Sequence, residues 1–173
     1  HLDAEQAAVA ATGVKALMPM GRPFLDYALG ALAEAGFRRI CLVIGPEHAA
    51  LRRYCTDELH CQRLQIEFAI QEQPLGTADA VLAAETFAAD DAFVIVNSDN
   101  YYPVEALASL RTLAGPGLAA FSRESMLRDG NIAAERLLKF AVVEADEEGF
   151  LRQIIEKPAA AMLQKLKGSL GVG

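Results

Sequence analysis

Tryptophan is absent from this 173-residue chain, aromatic residues of all kinds make up 7%, and there are only three cysteines. Three cysteines cannot all pair internally, which argues against a secreted disulfide scaffold and for a reducing, cytoplasmic setting. Basic residues are scarce too: 16 Lys and Arg against 23 Asp and Glu leave a formal net charge of −7. A broad grip on DNA or RNA leans on a basic surface, so no nucleic-acid partner is expected. An acidic chain can still hold one nucleotide through backbone N–H groups, a lysine and a metal ion. No apolar run reaches the roughly 18–20 residues that a membrane-spanning helix needs, so no membrane partner is expected either. Whole motifs are missing as well. Without GxxxxGK(S/T), GxGxxG or GxSxG, the P-loop, dinucleotide and α/β-hydrolase readings have no support. Cys55, His60 and Cys61 match no paired zinc-ligand spacing.

What the chain does have is apolar mass, 53% of its residues, mostly Ala, Leu, Val and Ile, which suits helices layered on a sheet. The length fits one domain over residues 1–173. Ala4 to Thr12 reads as a helix. Pro23 opens another, with Phe24, Tyr27, Ala28, Ala31, Leu32 and Ala35 spaced as one face and Gly36 as its stop. Arg39 to Ile44 and Phe93 to Asn97 read as buried interior strands, because near-continuous apolar runs suit a sheet covered on both faces. Gln65 to Ile70 is a third strand. Helical segments are expected from Glu47 to about Tyr54, from Ala78 to Thr86 and from Pro103 to about Leu113. A short strand is expected over Leu118 to Phe121. Lys139 to Glu144 and Phe150 to Ile155 flank an acidic turn and read as a hairpin, and a last helix is expected after Pro158. The alternation predicts a three-layer, Rossmann-like α/β domain. Its sheet is mixed but mainly parallel, with helices on both faces and a C-terminal antiparallel hairpin.

Four segments could carry chemistry. Gln71 to Ala78 follows a strand and opens a helix, so backbone N–H groups point outward there. Gly76 lets a ligand approach the backbone, Thr77 can cap the helix, and the Gln71 amide suits a nucleobase edge. An ordinary loop with a Thr cap explains the same residues. Asn97 to Asn100 ends a strand, where α/β ligands collect, and Asp99 could hold Mg²⁺ between phosphates or simply cap the next helix. Glu156 and Lys157 could bind sugar hydroxyls and phosphate, or form a surface ion pair. Lys15 is either solvated surface or a cation reaching into a cleft.

In this order the segments resemble the sugar-phosphate nucleotidyltransferases, the nucleoside-diphosphate-sugar pyrophosphorylases. Val14 to Pro23 is similar to the family's Pro-Lys-x-Leu-x-Pro…Gly-(Lys/Arg)-Pro segment, with Val14 in place of the first proline. Gln71…Gly76-Thr77-Ala78-Asp79-Ala80 resembles its base-binding segment, Ser98-Asp99-Asn100 its metal segment with Ser98 in place of glycine, and Glu156-Lys157-Pro158 its sugar-binding segment. The resemblance implies that Gln71, Gly76 and Thr77 read the base of an NTP and that Asp99 binds Mg²⁺. It implies that Lys15 contacts phosphate and that Glu156 and Lys157 hold a sugar-1-phosphate. The implied reaction forms an NDP-sugar and releases pyrophosphate; a homo-oligomer is left open. A non-catalytic regulatory domain that binds nucleotide and sugar phosphate is the alternative, as is transfer to a non-sugar phosphate such as phosphocholine. The family's opening strand and Gly-x-Gly-Thr-Arg loop are not in this sequence, nor is its second metal-binding Asp. Ala141 stands where the family usually has a glycine. The expectation is therefore a piece of a longer protein that lacks the N-terminal strand, the glycine-rich loop and the C-terminal end.

Overall fold

The computed structural model describes residues 3–11, 14–130, 133–137, 139–156, 158 and 170–172. Two units divide the chain, His1–Leu113 and Ala114–Gly173. The first begins with α1 (Ala4–Ala11). Asp3 and Gln6 start it reciprocally: the Gln6 N–H donates to Asp3 Oδ1 at 2.8 Å and the Asp3 N–H to Gln6 Oε1 at 3.2 Å. Two of the N–H groups that a helix start leaves without partners are thereby satisfied. A single 3₁₀ turn, Lys15–Leu17, follows.

The second helix, α2 (Phe24–Glu34), starts behind Pro23 as expected. Its buried face is the expected one only in part: Ala31, Leu32 and Ala35 are buried as expected, but Leu25 and Leu29 are buried with them. Leu25, Leu29 and Leu32 face the core, whereas Tyr27 is 40% exposed and its hydroxyl donates to the Met20 carbonyl at 2.8 Å. An alanine-rich helix offers more than one apolar stripe, and the stripe with the leucines removes the most apolar area from water. Gly36, at φ +95°, closes the helix. The Phe37 N–H reaches the Leu32 carbonyl at 3.0 Å and the Gly36 N–H the Ala33 carbonyl at 3.2 Å. This paired closure needs a left-handed residue after the last turn, which glycine supplies without a Cβ penalty.

The chain then enters β1 (Arg39–Ile44), crosses over through α3 (Ala49–Arg53), and returns as β2 (Gln65–Ile70). A π-helical turn, Tyr54–Glu58, continues α3. The two strands pair in parallel from Arg39↔Gln65 to Ile44↔Ile70. Next come α4 (Thr77–Ala83), α5 (Glu85–Ala88) and α6 (Val104–Arg111). The core gathers Leu25, Leu29 and Leu32 with Ile44, Leu51 and Leu107. Arg111 Nε also donates to the Ala35 carbonyl at 3.1 Å, tying α6 to the end of α2.

Residues 93–97 depart from expectation. They form no strand, and Phe93 and Ile95 are 55% and 56% exposed. An apolar β-prone run becomes a strand only when a neighbour takes up its N–H and C=O groups, and β1 and β2 pair with each other alone among the described strands.

The second unit holds β3 (Phe121–Ser122), α7 (Arg123–Arg128), α8 (Ala134–Leu137), β4 (Ala141–Ala145), β5 (Leu151–Ile155) and β6 (Leu170–Val172). The expected short strand thus begins only at Phe121. Ser122 Oγ caps α7, accepting from the Ser125 N–H at 3.3 Å. The hairpin is present: β4 and β5 pair antiparallel through Val142↔Ile155 and Val143↔Ile154. Asp146 closes its turn: its N–H donates to the Phe150 carbonyl at 3.0 Å, its carbonyl accepts the Gly149 N–H at 3.0 Å, and its Oδ1 accepts the Phe150 N–H at 2.7 Å. The strand order is β3-β6-β4-β5. Among the described residues the α/β character holds, but as a two-stranded parallel sheet and a four-stranded antiparallel one rather than one mixed sheet. The helix expected after Pro158 falls outside the described residues.

Candidate functional site

Lys15 and Asp99 lie 84 residues apart in sequence and meet in space, with Nζ 3.4 Å from Oδ2. Local structure fixes each end. Val14 and Ala16 are buried on either side of Lys15, which turns its side chain outward from the 3₁₀ turn. Asp99 sits in a turn over residues 97–100, where the Asn100 N–H approaches the Asn97 carbonyl at 3.4 Å and Asn100 Nδ2 donates to the Tyr102 hydroxyl at 3.3 Å. The side chains are 60% and 47% exposed, so the pair is wet and loosely held. The capping alternative for Asp99 is excluded: Pro103 is the N-cap of α6, with no side-chain hydrogen bond there. Lys15 lies at the surface, as the solvated alternative has it, and its ammonium is paired there with Asp99.

The loop after β2 is built differently. The Gln71 N–H extends the parallel ladder, donating to the Ile44 carbonyl at 2.9 Å. Its side-chain nitrogen Nε2 turns back into the loop, donating to the Gly76 carbonyl at 3.1 Å and to Asp79 Oδ2 at 2.8 Å. Gly76 has φ +109° and ψ −179°, a conformation open to glycine almost alone. A Cβ added there would meet nothing within 4 Å, so the backbone angle, not crowding, demands the glycine, and the space above it is free for a ligand. Thr77 does not cap α4, contrary to expectation. Gly76 occupies the N-cap position without a side-chain bond and Thr77 is the first helical residue, exposed to solvent. Sequence reasoning missed Asp79. A carboxylate three residues beyond Gly76 in a helical first turn is the signal that could have found it.

Glu156 is exposed and directly follows β5, in the second unit; Lys157 lies outside the described residues. Cys41, Cys55 and Cys61 are free thiols. Burial, with the charge of Asp26 adding to it, pushes the Cys55 thiol up to about 11. Burial and the nearby Glu67 also raise Cys41. Both thiols are thereby kept protonated and poorly nucleophilic. Among the described residues no three His, Cys, Asp or Glu side chains gather into a metal-binding group, and no helix is long and apolar enough to cross a membrane.

Known proteins resemble this chain over most of its length. The chain is 31% identical over 156 residues to a glucose-1-phosphate thymidylyltransferase of Streptomyces antibioticus, covering 85% of this chain and 40% of that protein. It is 28% identical over 152 residues to a low-salt glycan biosynthesis nucleotidyltransferase of Haloferax volcanii, again covering 85% of this chain and 40% of the relative. The chain therefore spans about two fifths of the length of these relatives. Its fold is similar to that of a crystal structure of UDP-glucose pyrophosphorylase complexed with UDP-glucose, at a TM-score of 0.63 and 16% identity over 92% of this chain and 66% of that one. The model of the nucleotidyl transferase family matches residues 9–169, a stretch that contains both the Lys15–Asp99 pair and the Gln71–Asp79 loop, and on that match the chain belongs to the nucleotidyl transferase family.

Proposed function

We propose that this chain carries the nucleotide-handling part of a sugar-phosphate nucleotidyltransferase, which joins an NTP and a sugar-1-phosphate into an NDP-sugar. The observation that carries the reading is the Lys15–Asp99 contact, a cation and an anion held at 3.4 Å on an exposed corner of a chain of this family. Such a pair can part to receive a phosphate on the lysine and a cation on the carboxylate. In the reaction a phosphate oxygen of the sugar-1-phosphate attacks the α-phosphorus of the NTP. The new P–O bond forms as the bond between the α-phosphorus and its bridging oxygen breaks, and that oxygen leaves with pyrophosphate. The protein's part is alignment and charge neutralisation. Lys15 would hold phosphate oxygens. Gln71, Gly76 and Thr77 would receive the base, and Glu156 with Lys157 the sugar phosphate.

Asp99 suits Mg²⁺ by its donor chemistry. Magnesium is commonly held through one or two carboxylates together with substrate phosphates rather than by an all-protein cage, and the Asp99 carboxylate is half-exposed. The ion, once bound, would draw negative charge off the phosphates. The test is pyrophosphate release by the full-length protein across ATP, CTP, GTP, UTP and dTTP with a panel of hexose-1-phosphates. One productive pair is expected. Tight nucleotide binding with no release from any pair, or release only with phosphocholine, would overturn the reading in favour of a regulatory or a non-sugar-phosphate domain.

A further inference from the structure

The geometry points to Asp79 as the residue that sets which way the Gln71 amide faces, and thereby which group of nucleobases this loop accepts. The inference rests on the reading of Gln71 as a base contact and adds to it a positioning residue and a rule of selection. Gln71 Nε2 lies between the Gly76 carbonyl, at 3.1 Å, and Asp79 Oδ2, at 2.8 Å. A backbone carbonyl and a carboxylate can only accept, so the group between them must be the amide's NH₂. A flipped amide would set its own oxygen against two acceptors. Both N–H donors of Gln71 are thus committed inward, one in a charge-assisted bond. Its carbonyl oxygen Oε1 is the atom left to meet a ligand.

A fixed acceptor sorts the bases. Uracil, thymine and guanine carry a carbonyl at the 4 or 6 position and an N–H on the adjoining ring nitrogen. Adenine and cytosine carry the reverse, an amino group beside a bare ring nitrogen. At either position the two groups therefore differ in sign, whichever of the two positions faces Gln71. An amide held by both acceptors favours one group and repels the other; without Asp79 only the weaker bond to the Gly76 carbonyl holds it, and the sorting relaxes. Within a group the positions are alike, so Asp79 leaves those ratios alone.

The experiment measures kcat/KM with ATP, CTP, GTP, UTP and dTTP, and nucleotide Kd by calorimetry, for the full-length protein and its Asp79→Ala, Asp79→Asn and Gln71→Ala variants. Asp79→Ala should cut the preference between the two groups by roughly tenfold, the scale of one hydrogen bond to a charged group. Ratios within each group should hold within about twofold. Asp79→Asn retains an acceptor oxygen and should restore most of the preference, a rescue that a merely structural role does not predict. A uniform loss across all nucleotides in Asp79→Ala, or an unchanged profile, overturns the inference. If Gln71→Ala leaves every nucleotide Kd unchanged, the base-contact reading of Gln71 has failed and the inference with it. If Gln71→Ala weakens binding while Asp79→Ala keeps the preference, only the inference fails. Thermal melts separate either result from unfolding.

Discussion

The Lys15–Asp99 corner and the Gln71–Asp79 loop are both polar and both proposed to meet ligands, yet they are built in opposite ways. In the loop, polar groups are consumed internally by bonds of 2.8–3.1 Å, and a glycine is held at φ +109° to allow it. At the corner, two charges face each other at 3.4 Å with little to hold them. The loop has its shape before a ligand arrives, because its polar groups are already paired and a glycine takes the positive φ. The corner keeps its charge available, because an exposed pair gains little from being closed. Recognition by shape and polarity needs the first construction, whereas recognition of mobile, highly charged phosphates needs the second.

The largest way to break this comparison is to remove charge at the corner. Asp99→Asn in the full-length protein should lower kcat by roughly 100-fold or more, with a smaller change in sugar-phosphate KM. It should leave the melting temperature almost unmoved, since exposed ion pairs contribute about 0–1 kcal/mol. Steady-state kinetics in Mg²⁺ beside a thermal melt decide it, and near-normal turnover would return Asp99 to an ordinary turn residue. Gly76→Ala tests the loop from the opposite side. The added Cβ meets open space, so the cost is the backbone angle alone, about 1–3 kcal/mol, visible in urea unfolding together with weakened nucleotide binding.

A smaller effect marks off both regions from the interior. Cys55 has its folded pKa raised from 9.0 to about 11. The protonated thiol is favoured by folding, so this stabilisation is complete below pH 9 and is lost as pH rises through about 11. The urea midpoint should fall across that window, and Cys55→Ala should flatten the fall. The smallest expected change is the stability of Lys15→Met, within about 0.5 kcal/mol of the parent. A larger loss would mean that the corner is a structural clasp after all.

What could be read from the sequence was local. Pro23 and Pro103 start helices because proline suits the first turn and little else. Residues 39–44 and 65–70 became parallel strands, and residues 141–155 a hairpin, as their apolar runs suggest, but 39–44 is not the buried interior strand expected: among the described strands it pairs with β2 alone and is mostly half-buried. Residues 93–97 misled because strand formation is decided by a neighbour, which the run itself cannot announce. The buried face of α2 was legible in Ala31, Leu32 and Ala35 but not in Leu25 and Leu29, because small alanines obscure a stripe that the leucines settle only once packed. At the site, Lys15, Asp99 and Gln71 stood out by type and position. The contact between the first two, across 84 residues, and the grip of Asp79 on the third belong to tertiary geometry. Thr77 was given the cap because threonine commonly takes it, whereas the positive φ of its neighbour places Gly76 there instead.

The span between Lys15 and Asp99 also makes the corner a natural place for a covalent staple. A zero-length carbodiimide coupling, which joins an amine to a carboxylate only when the two already touch, should stitch these residues into an isopeptide. A bound nucleotide should protect them by drawing the lysine away. The resulting ring would enclose some 84 residues, and by the loop-entropy argument used for disulfides such a ring restricts the unfolded chain by about 4–5 kcal/mol. A contact of almost no worth to the fold would then become one of its strongest restraints, while the same stitch closed the corner to the phosphate proposed to bind there.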